Sequence, residues 1–470
     1  MSQPGLSRAL RDALGADAVL TSPEDLAAYA FDAYSEDRMP DAAVLPRDAG
    51  EVAKVVRIAI ECGVPIVARG AGTGLCGGAV PVEGGIVVSF TRMNRILVLD
   101  AANRRARVQP GVANLELSHA AAAHGLFFGP DPSSQKTSTL GGNAATNAGG
   151  PHAFAYGSMN AHVLGLEYID ASGDIVRASI DDAGYDLTGV LVGSEGTLGI
   201  ITELELRLLR VPRAICVCVA SFGDVEGASE CVSASVAAGI AATALEIMDR
   251  TIVRAVEAHY HAGYPQDAGA VLLVELAGDD LGVAASERAV ASFARGHGAL
   301  AWHSASSARE RDALWAARKG AAGSLGRIAP NYYIQDATVP RTKLPQAVRR
   351  VDEIARAHGL PVGNVFHAGD GNLHPLLIFD RRVKRQLDAV VSAGHDILAA
   401  CIELGGTISG EHGIGYEKRE TLPLVFSRED LATMLRLRDA LGAPNLFNPG
   451  KIFPSGAVCI EVREPAATVA

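Results

Sequence analysis

Apolar residues recur at helical spacing from Val52 through Val55, Val56 and Ala59 to Ile60, and a short apolar run, Pro65 to Ala68, follows them. That pattern predicts a helix, a strand and then the glycine loop that opens at Arg69. The stretch before it, to about Tyr29, reads as helical. After the loop, GIVVSF, ILVLD and RARVQPGV read as strands and Leu115 to His124 as a helix. The polar, glycine-rich stretch Asp131 to Gly150 comes next, followed by the strand-like segments HVLGLEYID, DIVRASI and GIITELELRLL. A proline-flanked break at Pro212 and a new strand, ICVCVASF, mark a domain boundary. Beyond it, helices over Gly227 to Ala238 and Ala284 to Gly296 alternate with the strands AVLLVEL, LPVGNVFHA and HPLLIFD, the mixture of an α+β layer with an antiparallel sheet.

The chain has 470 residues, 48% hydrophobic and 20% charged, which suits two or three domains with their own cores and excludes disorder, collagen and coiled coil. It carries 51 glycines while aromatics make up 5%, so turns and close backbone approaches weigh more than ring stacking. A net charge of -11 argues against nucleic acid as a partner. The N-terminus lacks a basic start followed by an apolar core, and the longest apolar runs, such as Ala214 to Ala220, are too short to span a membrane, so a cytoplasmic protein is expected. The seven cysteines include no C-x-x-C pair, which supports neither a disulfide framework nor an iron–sulfur or zinc-ribbon site. Most are expected to be small buried hydrophobes.

The loop RGAGTGLCGG spaces Gly72, Gly74 and Gly77 as in a dinucleotide fingerprint, but that motif needs a helix opening at its end. Here the loop runs through Pro81, Gly84 and Gly85 into the strand IVVSF, so a Rossmann turn is not supported. Residues 141–150, GGNAATNAGG, and 193–200, GSEGTLGI, also offer backbone N–H groups with no side chain in the way. Three such loops in one domain can wrap a long anionic ligand. With PRDAGEVAKVVRIA and PDPSS, they resemble the FAD domain of the vanillyl-alcohol oxidase/p-cresol methylhydroxylase flavoproteins over roughly 40–212. The resemblance implies that Arg69, Gly70, Ala71, Gly72, Thr73, Gly74, Gly77 and Gly78 hold the FAD pyrophosphate. It further implies that Pro130, Asp131, Ser133, Ser134, Gly141, Gly142, Asn143, Asn147 and Gly149, with Gly193, Glu195, Gly196, Gly199 and Ile200, line the isoalloxazine and adenosine portions. FAD is expected to be noncovalent, because this loop lacks the histidine through which some members attach it.

In GNVFHAGDGNLHPLLIFD, Asp370-Gly371 is a two-residue hairpin signal. A turn centred there sets His367 directly opposite His374, with Cβ atoms roughly 4.5–5.5 Å apart. That is within reach of one metal ion; the other reading is two half-exposed histidines on a hairpin. TISGEHGIGYEKRE places Glu411 beside His412, and a carboxylate would complete a His2Glu set with open positions. Together these segments resemble the C-terminal domain of FAD-linked 2-hydroxy-acid dehydrogenases, and NPGKIFP, Asn448 to Pro454, is a further matching signature. The resemblance implies His367, His374 and Glu411 as ligands of a divalent metal, zinc first and manganese or iron as alternatives. It implies His412 as the active-site base, Arg318 as the holder of substrate carboxylate and Asn448 as a cofactor contact. Arg318 otherwise reads as an exposed helix arginine, and Tyr333 as either a cap over a small substrate or core.

The expected fold is α+β. An N-terminal helical segment, 1–39, precedes a two-subdomain FAD-binding domain of the p-cresol methylhydroxylase type, 40–212. A substrate and metal-binding cap domain with an antiparallel sheet, 213–454, then returns at its end to the FAD domain and leaves a tail, 455–470. The implied activity is oxidation of a small 2-hydroxy acid to the 2-oxo acid, with His412 taking the hydroxyl proton and hydride passing to flavin N5. Where the 2-hydroxyglutarate enzymes carry a threonine, a lysine and an asparagine for a second carboxylate, this chain has Ala322, the lysine-free NYYIQDATVP and Leu376. That disfavours 2-hydroxyglutarate, since an unpaired buried charge costs several kcal/mol. The run WAARKGAAGSLGRIAPNYYIQDATVPRTKLP resembles the FAD-binding subunits of glycolate oxidases, which puts glycolate first and D-lactate second. Those subunits work with a second FAD-domain subunit and an iron–sulfur subunit that passes electrons towards quinone, so the chain would be membrane-peripheral through its partners. Two rival readings are a flavin enzyme with another donor, such as an aldonolactone or a phenol, and a noncatalytic FAD-binding partner subunit.

Overall fold

The computed structural model describes residues 3–34, 36–441 and 445–455. The chain separates into two units, one made of Met1–Gly149, Ser158–Val211 and Glu411–Ala470, the other of Gly150–Gly157 and Pro212–Gly410.

In the first unit the helix predicted around Val52 spans Ala49–Cys62. Asp48 caps its start by accepting a hydrogen bond from the Glu51 N–H, and Gly63 ends it in the left-handed region at φ 64°. Its buried face, Val52, Val55, Val56 and Ala59, covers a four-stranded sheet ordered Val19–Leu20, Ala42–Val44, Ile86–Ser89, Ile66–Arg69. The last three strands are parallel; the helix carries the chain from Ala42–Val44 to Ile66–Arg69, and the long glycine loop then returns it to Ile86–Ser89 between them. The N-terminal helix stops at Leu14 rather than running towards Tyr29. Gly15 turns the chain at φ 88°, and Val19–Leu20 pairs antiparallel with Ala42–Val44.

A second, antiparallel sheet of the same unit is ordered Ile96–Asp100, Arg105–Val108, Ile200–Arg207, Val163–Ile169, Ile175–Ser179. Its core contains Val108, Leu117, Leu166 and Leu204. The glycine-rich stretch before Gly150 holds a short helix, Leu140–Thr146, which puts Leu140 and Ala144 into this core and is capped by the Thr139 hydroxyl at 3.3 Å from the Gly142 nitrogen. Alanines, glycines and an asparagine hid its apolar face from a pattern reading.

The second unit is built on one antiparallel sheet, ordered Ala301–Ser304, Ala214–Phe222, Ala270–Gly278, Ala242–Asp249, Val362–His367, Asn372–Phe379, Asn331–Ile334, with Ala337–Thr338 also pairing Asn372–Phe379. One face packs Val217, Val219, Leu273, Val365 and Leu376 against the helices Arg250–Tyr260 and Ala308–Lys319. Residues alternating with these, such as Cys218 and Phe222, turn to the opposite face. The helices Val225–Ala237 and Asp280–Gly296 also contact these strands without contributing to the first core.

Candidate functional site

The three glycine loops, at 69–78, 141–150 and 193–200, meet in the first unit around one cavity. Ala68, Arg69, Gly70, Gly141, Gly142, Ser194, Gly196 and Gly199 are on its wall, closed by Phe90, Pro110, Ala145 and Ile201. The glycines are needed for close approach. A side chain at 70 would strike the Thr139 hydroxyl, and one at 141 would strike Pro110, whose carbonyl already accepts the Gly141 N–H at 2.8 Å. The second and third loops are tied by backbone hydrogen bonds from Gly193 N–H to the Ala144 carbonyl, 2.9 Å, and from Glu195 N–H to the Ala145 carbonyl, 2.7 Å. Backbone brought this near, with no side chain between, fits an extended anionic cofactor. Ala71, Thr73, Gly74, Pro130, Asp131, Ser133, Ser134, Asn143, Asn147, Gly149, Gly193 and Ile200 lie on the same loops but do not line this cavity.

Several expected contacts act through the loops instead. The Arg69 guanidinium donates to the carbonyls of Phe31, 2.6 Å, and Ala28, 3.4 Å. Asn448 donates to the carbonyls of Gly78, 2.9 Å, and Glu195, 2.8 Å. Lys451, three residues on, donates to those of Gly77, 2.7 Å, and Val80, 2.6 Å, and burial lowers its ammonium to about 8. With its carbonyls held by cationic and amide donors, the loop has its N–H side to offer an anion. The Glu195 carboxylate accepts from the Ile414 and Gly415 N–H groups, both at 2.7 Å, and burial raises it above the usual carboxylate range. It therefore fixes the segment that carries Glu411 and His412. A side chain at Gly413, where φ is 86°, would come within 2.7 Å of that carboxylate.

In the second unit the histidine hairpin forms with a different register. His367 pairs with Asn372, and His374 with Val365, because the connection is the four residues 368–371. Only Gly371 takes a positive φ, 74°, whereas the expected two-residue turn needs both central residues there. The displacement is two residues, and since side chains alternate with period two, both imidazoles keep the same face. Their ring centroids are 5.0 Å apart at 85°. Exposures of 5% and 4% rule out surface histidines.

Glu246, fully buried on the next strand and directly opposite His367, joins the two halves of this cluster. Its carboxylate takes the His367 Nδ1 hydrogen at 2.9 and 3.0 Å and forms an ion pair with Arg318. The bond to Nδ1 fixes the tautomer and frees Nε2 to be a ligand. Arg318, 3% exposed, is thus not an exposed helix arginine. Asp336 lies 3.9 Å from His374 Nδ1, and its other oxygen accepts from the Ser409 hydroxyl, 2.8 Å, and the Gly410 N–H, 3.0 Å. Glu411 and His412 follow at once in the chain, where it passes into the first unit. Tyr333 opposes Leu377 and so falls on the face away from His374, close against Gly394 of the helix Lys384–Glu403. Tyr332, 38% exposed, shares the histidine face.

Residues 211–452 match the family described as FAD linked oxidases, C-terminal domain, and residues 40–179 match the FAD binding domain. The chain belongs to the FAD-linked oxidases. It is 40% identical over 457 residues to glycolate oxidase subunit GlcD of Escherichia coli (strain K12), a match covering 96% of this chain and 92% of that protein. Identity to GlcD of Bacillus subtilis (strain 168) is 40%, covering 91% and 92%, and to D-lactate dehydrogenase of Archaeoglobus fulgidus 36%, covering 90% and 95%. The fold is shared with 4-ethylphenol oxidase from Gulosibacter chungangensis, TM-score 0.79 at 17% identity over 96% of this chain and 97% of that one. It is also shared with p-cresol methylhydroxylase, TM-score 0.76 at 16% identity over 96% of both. Glu246, Asp336 and Lys451 are the residues of this FAD-linked oxidase that sequence reading missed. For Glu246 the available signal was a carboxylate in the middle of the apolar strand ATALEIMD, which a buried sheet tolerates only with a partner.

Proposed function

We propose that this FAD-linked oxidase oxidises a small 2-hydroxy acid to the 2-oxo acid, with glycolate the first substrate and D-lactate the second. The observation that carries the reading is the buried Glu246 bridge, which holds a guanidinium and an imidazole in one dry cluster beside a second imidazole. A buried arginine already paired on one side can present its remaining N–H groups to a substrate carboxylate. His367 and His374, with Glu411, are the residues to hold a divalent ion, zinc, manganese or iron; when bound, such an ion supplies a Lewis acid that lowers the pKa of a hydroxyl. The glycine cavity is the place for FAD, which supplies the two-electron acceptor. In this scheme Arg318 orients the substrate, His412 takes the hydroxyl proton, and Glu195, through the 414–415 backbone, keeps His412 in place.

Leu376 is fully buried and Ala322 packs against the same apolar core, so neither position offers a partner for a second carboxylate. This supports a small monocarboxylate. Relatives named as a glycolate oxidase subunit support a complex, and we assign the onward electron path to partner subunits, one of them iron–sulfur, towards quinone. No helix among the described residues is long and apolar enough to cross a membrane.

Dye-linked turnover tests the reading. Glycolate and D-lactate should reduce the dye, D-2-hydroxyglutarate should be at least about tenfold poorer, and His374→Ala should abolish turnover while the protein keeps its flavin. Undiminished activity in that variant would favour a phenol or lactone oxidase.

A further inference from the structure

On the strand Ala214–Phe222, Cys216 and Cys218 alternate with Val217 and Val219, which belong to the core of the histidine-bearing face. Both thiols therefore project from the other face, three strands across the sheet from His367. Their sulfurs are 3.4 Å apart. Glu287, on the helix Asp280–Gly296, completes a set in which the two sulfurs and a carboxylate oxygen all lie within 4.8 Å of one another. Ser304 of the edge strand adds a hydroxyl, 3.5 Å from the Cys218 sulfur and 2.5 Å from the Glu287 carboxylate. Arg311 is the nearby cation.

We propose that Cys216, Cys218 and Glu287 form a second metal site, for a thiophilic divalent ion of the zinc class, separate from the catalytic cluster. The geometry favours an ion over a disulfide. Two thiolates on a tetrahedral zinc, at about 2.3 Å each, lie about 3.8 Å apart, a few tenths from the separation already present. A disulfide needs about 2.05 Å between sulfurs and a Cα separation of at most about 6.8 Å, and alternate residues of an extended strand already span about 6.7 Å. Binding replaces two S–H bonds by two metal–sulfur bonds and releases two protons, with Glu287 exchanging its serine hydrogen bond for the ion. Burial raises both thiols above their ordinary value. Affinity should accordingly fall by up to about 100-fold per pH unit on acidification. A bound ion would clip the helix and the edge strand to the sheet.

Cadmium titration of the reduced, FAD-loaded chain tests this. The wild type should take up one cadmium with a sulfur-to-cadmium charge-transfer band and slowed alkylation of Cys216, whereas C216S/C218S should show neither and retain dye-linked turnover. E287Q should keep the band with affinity weakened about tenfold or more. Histidine and carboxylate ligands give no such band, so binding at the catalytic cluster is distinguishable. If the wild type shows no thiolate band and no protection of Cys216, or if air converts the pair to a disulfide that cadmium does not prevent, the assignment is wrong. The wild-type protection measurement decides the matter even if the double variant fails to fold.

Discussion

Glu246 illustrates how much of this chemistry depends on one carboxylate. It faces His367 across a strand pair and Arg318 from a helix, so deleting it would leave a buried guanidinium without a counter-charge, a loss of about 3–5 kcal/mol. Glu246→Gln keeps the shape and a hydrogen-bond acceptor but removes the charge. It should lower kcat/KM for glycolate about 10–100-fold with flavin content unchanged, measured by dye-linked kinetics and flavin absorbance. A variant with full activity would separate Glu246 from catalysis. Asp249, at the end of the same strand, is a structural contrast. It accepts from the Ile252 and Asn364 N–H groups, and burial raises its carboxyl from 3.8 to about 7. Between those values the folded state keeps a proton that the unfolded chain has released, so this group's contribution to stability falls as pH rises through that window. Asp249→Asn should therefore raise Tm more at pH 8 than at pH 5; equal shifts would contradict the assignment.

At the scale of elements, the glycine loops were legible in the sequence because a run of glycines and small polar residues between strands has few other uses. Their clamps were not legible, since nothing in NPGKIFP says where an ammonium will point. Lys451 reaches the carbonyls of Gly77 and Val80 across 374 and 371 residues of sequence, a contact only the folded chain can make. Lys451→Met should loosen that loop and leave most of the purified chain without FAD, read from the ratio of flavin to protein absorbance. The hairpin shows the other kind of partial legibility. Alternation placed both histidines on one face, and a two-residue error in register preserved that face, whereas an error of one would have put them on opposite sides. The same alternation moved Tyr333 to the far face, because a Tyr-Tyr pair in a strand cannot say which ring points inward. The Leu140–Thr146 helix was concealed by residues too small to show a period.

For the whole molecule, composition and patterning anticipated an α+β chain with an antiparallel second layer, and the family match and shared folds agree. The passage of the chain into the first unit at Glu411 is a long-range property that local pattern does not encode. Because each unit has its own core, stripping the proposed histidine-bound ion should leave a folded flavoprotein. Chelation is expected to abolish turnover with Tm changed by no more than a few degrees, and unfolding on chelation would make the ion structural instead. The most direct test of the central claim is anaerobic mixing of the flavin-loaded chain with glycolate, D-lactate, L-lactate or D-2-hydroxyglutarate while following the flavin absorbance. Rapid bleaching by glycolate, with D-lactate next and 2-hydroxyglutarate far slower, is the predicted result. Bleaching by 2-hydroxyglutarate alone, or by none of the four, would contradict it.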